Sequence, residues 1–163
     1  MWAEAELEQP ETGGLDGVMR RILFQGKTFP YMFAAKEYPG HWIEGYYCSK
    51  GGLHFISQVL RYSSGKQYFS DAEVQPETVR QFTGFYDKNS RRIFDGDILK
   101  SAYPDEPGEV SVVYEEVFWK NGWYQAEDGD RERYDELSQG CLSEYSEVVG
   151  NIWDNAELLG GKK

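Results

Sequence analysis

Residues Val79 to Lys100 read Val-Arg-Gln-Phe-Thr-Gly-Phe-Tyr-Asp-Lys-Asn-Ser-Arg-Arg-Ile-Phe-Asp-Gly-Asp-Ile-Leu-Lys. Two apolar, β-prone runs flank the polar cluster Asp87-Lys88-Asn89-Ser90, the local pattern of a hairpin. The second run ends in Asp95-Gly96-Asp97-Ile98-Leu99, read as a tight turn feeding a new strand. This stretch fixes a β-rich expectation and says little about chemistry.

Working outward, the same character recurs. Aromatic residues make up 16% of the 163-residue chain, with 12 Tyr, 9 Phe and 5 Trp. Such residues bury large areas and favour strands. On the N-terminal side, Arg21–Phe24 with Gly26-Lys27 reads as a first strand and turn, and Phe29–Ala35 as a second apolar stretch broken by Pro30. Trp42–Cys48 and Leu53–Ser57 flank Gly51-Gly52, so a further hairpin is expected. Gln58–Ser70 is ambiguous, and Asp71–Thr78, containing Pro76, reads as a loop or edge.

On the C-terminal side, Tyr103–Gly108 is a loop by composition. Glu109–Phe118 alternates, with Val110, Val112 and Tyr114 expected on one face. Asn121-Gly122 predicts a type I′ turn between Trp119 and Trp123. Arg131–Tyr145 reads as a short helix plus loop interrupted by Gly140. Glu147–Trp153 is a final strand, and Asn155 is expected to cap one helical turn through Leu159. The fold class is therefore mainly β with little helix. An SH3-like small barrel is expected over about residues 94–159, with an N-terminal sheet and hairpin region before it.

Charge is unevenly placed. Acidic and basic residues number 5 and 0 in Met1–Val18, 8 and 12 in Met19–Lys100, and 15 and 5 in Ser101–Lys163. The segments carry −5, +4 and −10, which sum to the formal net charge of −11. An acidic C-terminal half disfavours ordinary phosphate-backbone binding, which needs clustered Lys and Arg. Residues 1–18 are acidic and poor in large apolar groups, so a disordered leader is expected, with Met19 as the natural start. Residues 160–163 form a tail. No long apolar run or signal-peptide pattern occurs, and the two cysteines, Cys48 and Cys141, are read as free thiols of a cytoplasmic protein.

Gln81-Phe82-Thr83-Gly84-Phe85-Tyr86-Asp87-Lys88-Asn89 followed by Ile93-Phe94-Asp95-Gly96-Asp97-Ile98-Leu99 resembles the hallmark of the YopX family. Glu147-Val148-Val149-Gly150-Asn151-Ile152-Trp153-Asp154-Asn155, with Glu157-Leu158-Leu159 after it, is similar to the same family, as is the opening Met19-Arg20-Arg21-Ile22-Leu23-Phe24. The resemblance spans about residues 19–159. It implies a phage- or prophage-encoded protein of a bacterial host, with a β-rich fold, a tendency to self-associate and no established activity. It supplies no catalytic residues. Two departures concern local geometry. Ser90 stands where glycine usually follows Asn89, so Asn89 is expected to take the positive-φ role. Ala156 replaces a common proline, which should loosen entry into the last helical turn.

Each candidate constellation has a structural reading beside it. Asp95 and Asp97 around Gly96 could hold a cation or act as acid and base, but one Asp-x-Asp supplies few ligands, and an Asp-Gly turn accounts for them. His41, Cys48, His54 and Cys141 match no metal-ligand spacing, so no metal or cofactor is expected. Cys48 with His54 could serve as nucleophile and base, although a hairpin Cys is ordinarily a small buried hydrophobe. Trp42, Tyr46 and Tyr47, helped by Lys50 and Arg61, could stack bases, and Arg91-Arg92 is the best basic spot. Phosphate-cradling and hydrolase motifs are absent. The expectation is a non-enzymatic binding protein that forms homo-oligomers, with a host or phage protein as a further partner. The alternative is a nucleic-acid binder, or an acidic mimic of nucleic acid.

Overall fold

The computed structural model describes residues 22–30, 40–62, 64–104, 107–128, 134–136 and 138–160. The leader at 1–18, the opening at Met19–Arg21, most of Phe29–Ala35 and the final residues 161–163 lie outside these. The chain divides into two compact units, Met1–Val79 and Arg80–Lys163.

The first unit is an antiparallel sheet in the order β4-β3-β2-β1, built from β1 (Phe24–Lys27), β2 (Trp42–Lys50), β3 (Leu53–Arg61) and β4 (Gln67–Glu73). Gly26 and Lys27 were expected to turn, yet they lie in β1, pairing with Ile43 and Trp42. Gly26 fits there because a side chain at this point would collide with the buried Val74. Gly51 and Gly52 join β2 to β3 with φ of 61° and 83°, the left-handed pair a type I′ turn requires. The ambiguous Gln58–Ser70 stretch resolves into the end of β3 and the start of β4. Seven consecutive pairs run from Phe55↔Glu73 to Arg61↔Gln67 without a bulge. A single 3₁₀ turn, Pro76–Thr78, closes the unit. Thr78 Oγ1 accepts the Lys27 N–H at 2.9 Å, tying that turn back to β1.

The second unit begins with the expected hairpin, β5 (Arg80–Tyr86) and β6 (Arg92–Phe94). There follow β7 (Asp97–Pro104), β8 (Val110–Lys120), β9 (Trp123–Asp128), β10 (Tyr134–Glu136), helix α1 (Gln139–Tyr145) and β11 (Ser146–Asn151). β7 to β11 form an antiparallel sheet in the order β10-β9-β8-β7-β11. It is a four-strand meander to which β11 returns beside β7. Among the described residues β10 and β11 do not pair, so the sheet does not close into a barrel. Gly140, expected to interrupt a helix, lies within α1, and a short strand precedes the helix where a loop was expected. A 3₁₀ turn, Ala156–Leu159, ends the fold. Asn155 precedes it without a side-chain cap; its Oδ1 instead accepts the Asn151 N–H at 3.4 Å.

The core of this unit is Ile93, Leu99, Val117, Tyr124, Leu142 and Val148, with Phe85 against it. It also sets which face of β8 is buried. The expected alternation holds, with Val110 and Val112 facing outward and Glu115 and Val117 buried. Valines on both parities left the inner face undetermined. The pairing Leu99↔Glu115 decided it, because Leu99 is the fully buried partner.

Candidate functional site

The hairpin turn between β5 and β6 is built on one carboxylate. Asp87 is buried, and its Oδ1 accepts the N–H groups of Asn89 (2.8 Å) and Arg91 (2.9 Å). Its Oδ2 accepts the N–H of Val148 in β11, 61 positions later, at 2.9 Å. Lys88 N–H donates to the Ser146 carbonyl, and Arg91 Nη1 donates to the Val148 carbonyl at 3.2 Å. The turn thus caps the edge of β11 with side-chain and backbone bonds. Ser90 takes the left-handed conformation at φ 61°, in place of the expected Asn89. The Asn89 N–H is held by Asp87 instead, so the strain falls on the next residue.

The second centre joins the remaining hallmark blocks. Asp97 is buried at the start of β7. One carboxylate oxygen pairs with the buried Arg80 guanidinium, and the other accepts the Phe94 N–H at 2.8 Å. The guanidinium carbon sits 5.5 Å from the Phe94 ring centre and 5.8 Å from that of Trp153. Burial raises the Asp97 carboxyl and lowers the Arg80 guanidinium from their ordinary values, and each charge partly offsets the shift of the other. Gly96, at φ 75°, lies under the Trp153 ring, which a Cβ there would approach to 2.6 Å. Its N–H donates to the Val117 carbonyl and its carbonyl accepts the Ile152 N–H. Asn151 pairs with Asp97 across β11 and β7, and its Oδ1 accepts the N–H groups of Trp153 and Asp154. Phe-Asp-Gly-Asp and Gly-Asn-Ile-Trp-Asp-Asn are therefore two halves of one clasp. Asp95 is the more open carboxyl; burial raises it, against hydrogen bonds from the Trp119 and Gly96 backbones.

A third polar cluster lies on the core face. Ser101 and Ser146 are fully buried with their hydroxyls 2.8 Å apart, and Tyr103 OH donates to the buried Glu115 at 3.3 Å. Burial pushes the Tyr103 hydroxyl up.

The expected aromatic platform is divided by the pleat of β2, because adjacent strand residues face opposite ways. Trp42 and the exposed Tyr46 share one face. Tyr47 faces the other, its OH 2.7 Å from His54 Nδ1 and its ring 5.5 Å from that of Phe24. Lys50 and Arg61 stand at opposite ends of the β2–β3 hairpin, about 26 Å apart by strand rise. Arg91 is committed to β11, and Arg92 is half-buried opposite Tyr86. Cys48 is exposed, not buried as expected, and is cross-strand from Phe55, so His54 points to the opposite face. Among the described residues, no three His, Cys, Asp or Glu side chains are grouped to hold a metal ion, and no helix is long and apolar enough to cross a membrane.

Sequence reasoning missed Arg80, Asp87, Asn151 and Trp153 as the residues that organise both centres. For Asp87 a signal was present, since an Asp opening a turn can accept from the amides that follow it. For Arg80 none was, because its partner lies 17 positions away.

A family model described as YopX protein matches residues 41–160. No curated protein matches the chain. Among solved structures, the crystal structure of protein EF1440 from Enterococcus faecalis is similar at 20% identity and a TM-score of 0.48, covering 85% of this chain and 98% of that one.

Proposed function

The chain belongs to the YopX protein family, and from that premise we propose that it is a non-enzymatic, self-associating binding protein, acting in the cytoplasm of a bacterial host in a phage or prophage setting. What carries this reading is the clasp. The hallmark residues Asp97, Gly96, Asn151 and Trp153 are committed to one another and to Arg80. The family pattern is thereby accounted for by architecture, and the role falls to surfaces.

Self-association is favoured by the charge layout, +4 over Met19–Lys100 and −10 over Ser101–Lys163, which allows complementary docking between copies. Sedimentation velocity across concentration at low salt tests it. A species that grows with concentration and shrinks with added salt is expected; a strict monomer at high concentration and low salt refutes it.

The −10 segment also favours a second reading, in which the acidic half imitates nucleic acid and occupies a host protein. A direct nucleic-acid binder would instead show affinity falling steeply with salt. Titration with DNA and RNA over a salt series separates these, since an imitator binds neither.

A further inference from the structure

Among the described residues, the outer edge of β4 in the first unit is unpaired from Gln67 to Asp71. Its inner edge is defined by hydrogen bonds at even-numbered positions: Val74 N–H donates to the His54 carbonyl, and the Lys66 carbonyl accepts the Tyr62 N–H. The ladder is unbroken between them. By strand alternation, the N–H and C=O groups of Gln67, Phe69 and Asp71 therefore point away from β3. No described residue pairs with them. Gln67–Glu73 holds no proline, bulge or lysine to protect the edge, and its charges, Asp71 and Glu73, lie toward one end. Phe69, in the middle, is 74% exposed, the most exposed large apolar residue described.

We propose that this edge is where a second copy of the chain adds, β4 against β4 in antiparallel register about a two-fold axis at Phe69. The inference rests on the self-association reading above and supplies its surface. The register follows from what closes the edge at one end. Thr28 bridges Val74, and Gln75 N–H donates to the Lys27 carbonyl; the companion bond of such an antiparallel bridge engages the Glu73 carbonyl, so the open run stops before Glu73. The outward-facing positions left are Gln67, Phe69 and Asp71, and Phe69 is their midpoint. Pairing there sets Phe69 against its own copy in a hydrogen-bonded pair and Asp71 against Gln67 of the second copy. Charge agrees with this arrangement. Arg61 is the cross-strand neighbour of Gln67, whereas Asp71 and Glu73 mark the other end. A two-fold axis brings each acidic end to the Arg61 end of the other copy.

The test is sedimentation velocity of the full chain and three variants, with circular dichroism melts as a check of folding. Phe69→Pro removes the outward N–H and the ring while leaving the donors to β3 in place. It is expected to weaken association at least about tenfold. Gln67→Glu sets a carboxylate against Asp71 of the second copy and weakens it too, and Gln67→Glu with Asp71→Lys restores it. Should Phe69→Pro not fold, the charge pair decides. Association unchanged by a folded Phe69→Pro and by Gln67→Glu would overturn this edge and leave self-association standing through another surface. A wild-type chain that stays monomeric throughout would overturn both.

Discussion

The Asp87 carboxylate accepts the backbone N–H of Val148 at 2.9 Å, linking the β5–β6 turn to the last strand of the second unit. One side chain thereby does two tasks. It shapes its own turn through Asn89 and Arg91, and it completes a strand edge that backbone pairing leaves unmet. A buried acceptor with three donors cannot be removed without stranding at least one of them.

Asp87→Ala should therefore destabilise the protein by about 3 kcal/mol, from the loss of hydrogen bonds to a charged group and a buried amide left unpaired. Asp87→Asn should cost less, since its one oxygen keeps part of the set. Urea unfolding of the three proteins checks the order.

Arg80→Met should cost about 3–5 kcal/mol, because Asp97 would remain buried without its partner. Replacing both with apolar residues, Arg80→Met with Asp97→Leu, should recover part of that loss. A double-mutant cycle by chemical denaturation measures the coupling, and simple additivity would count against a tight pair.

Gly96→Ala combines a left-handed backbone with a collision against Trp153. We expect a loss of more than about 1–2 kcal/mol. Adding Trp153→Ala removes the collision but leaves the backbone cost, so the glycine substitution should be milder in that background. Thermal melts of the four proteins separate the two contributions.

Two carboxyls should pull stability in opposite directions with pH. Burial first of all raises Asp95, so its contribution is fully present below its ordinary value of 3.8 and is lost as pH rises through the folded value. The hydrogen bond from Lys88 first of all lowers Glu147, so its contribution is present above its ordinary 4.5 and is lost as pH falls through the folded value. Asp95→Asn should thus gain melting temperature relative to wild type on going from pH 3 to 7, and Glu147→Gln should lose it. Melts across that range check both signs.

Much of the fold was legible in residue order. The Gly51-Gly52 and Asn121-Gly122 turns adopt positive φ at both positions, as their chemistry requires. The hairpin on Asp87–Ser90 forms where two apolar runs flank a polar cluster, and the spacing of the hallmark blocks identified the family. These features are local, fixed by backbone sterics and turn chemistry within a few residues.

Partnerships across long separations emerge only in the folded chain. No period in β8 states that Glu115 is inside and Val112 outside; pairing with the buried Leu99 does. Nothing near Arg80 announces Asp97, and nothing near Asp87 announces Val148. Strand pleat divided Trp42 and Tyr46 from Tyr47, although the three lie within six positions. Turns, strand character and family could be read from residue order alone, because those depend on neighbours along the chain. Which carboxylates are buried, which edges are capped and which stay open depended on chain segments meeting in space, and burial and hydrogen-bond satisfaction are settled only there.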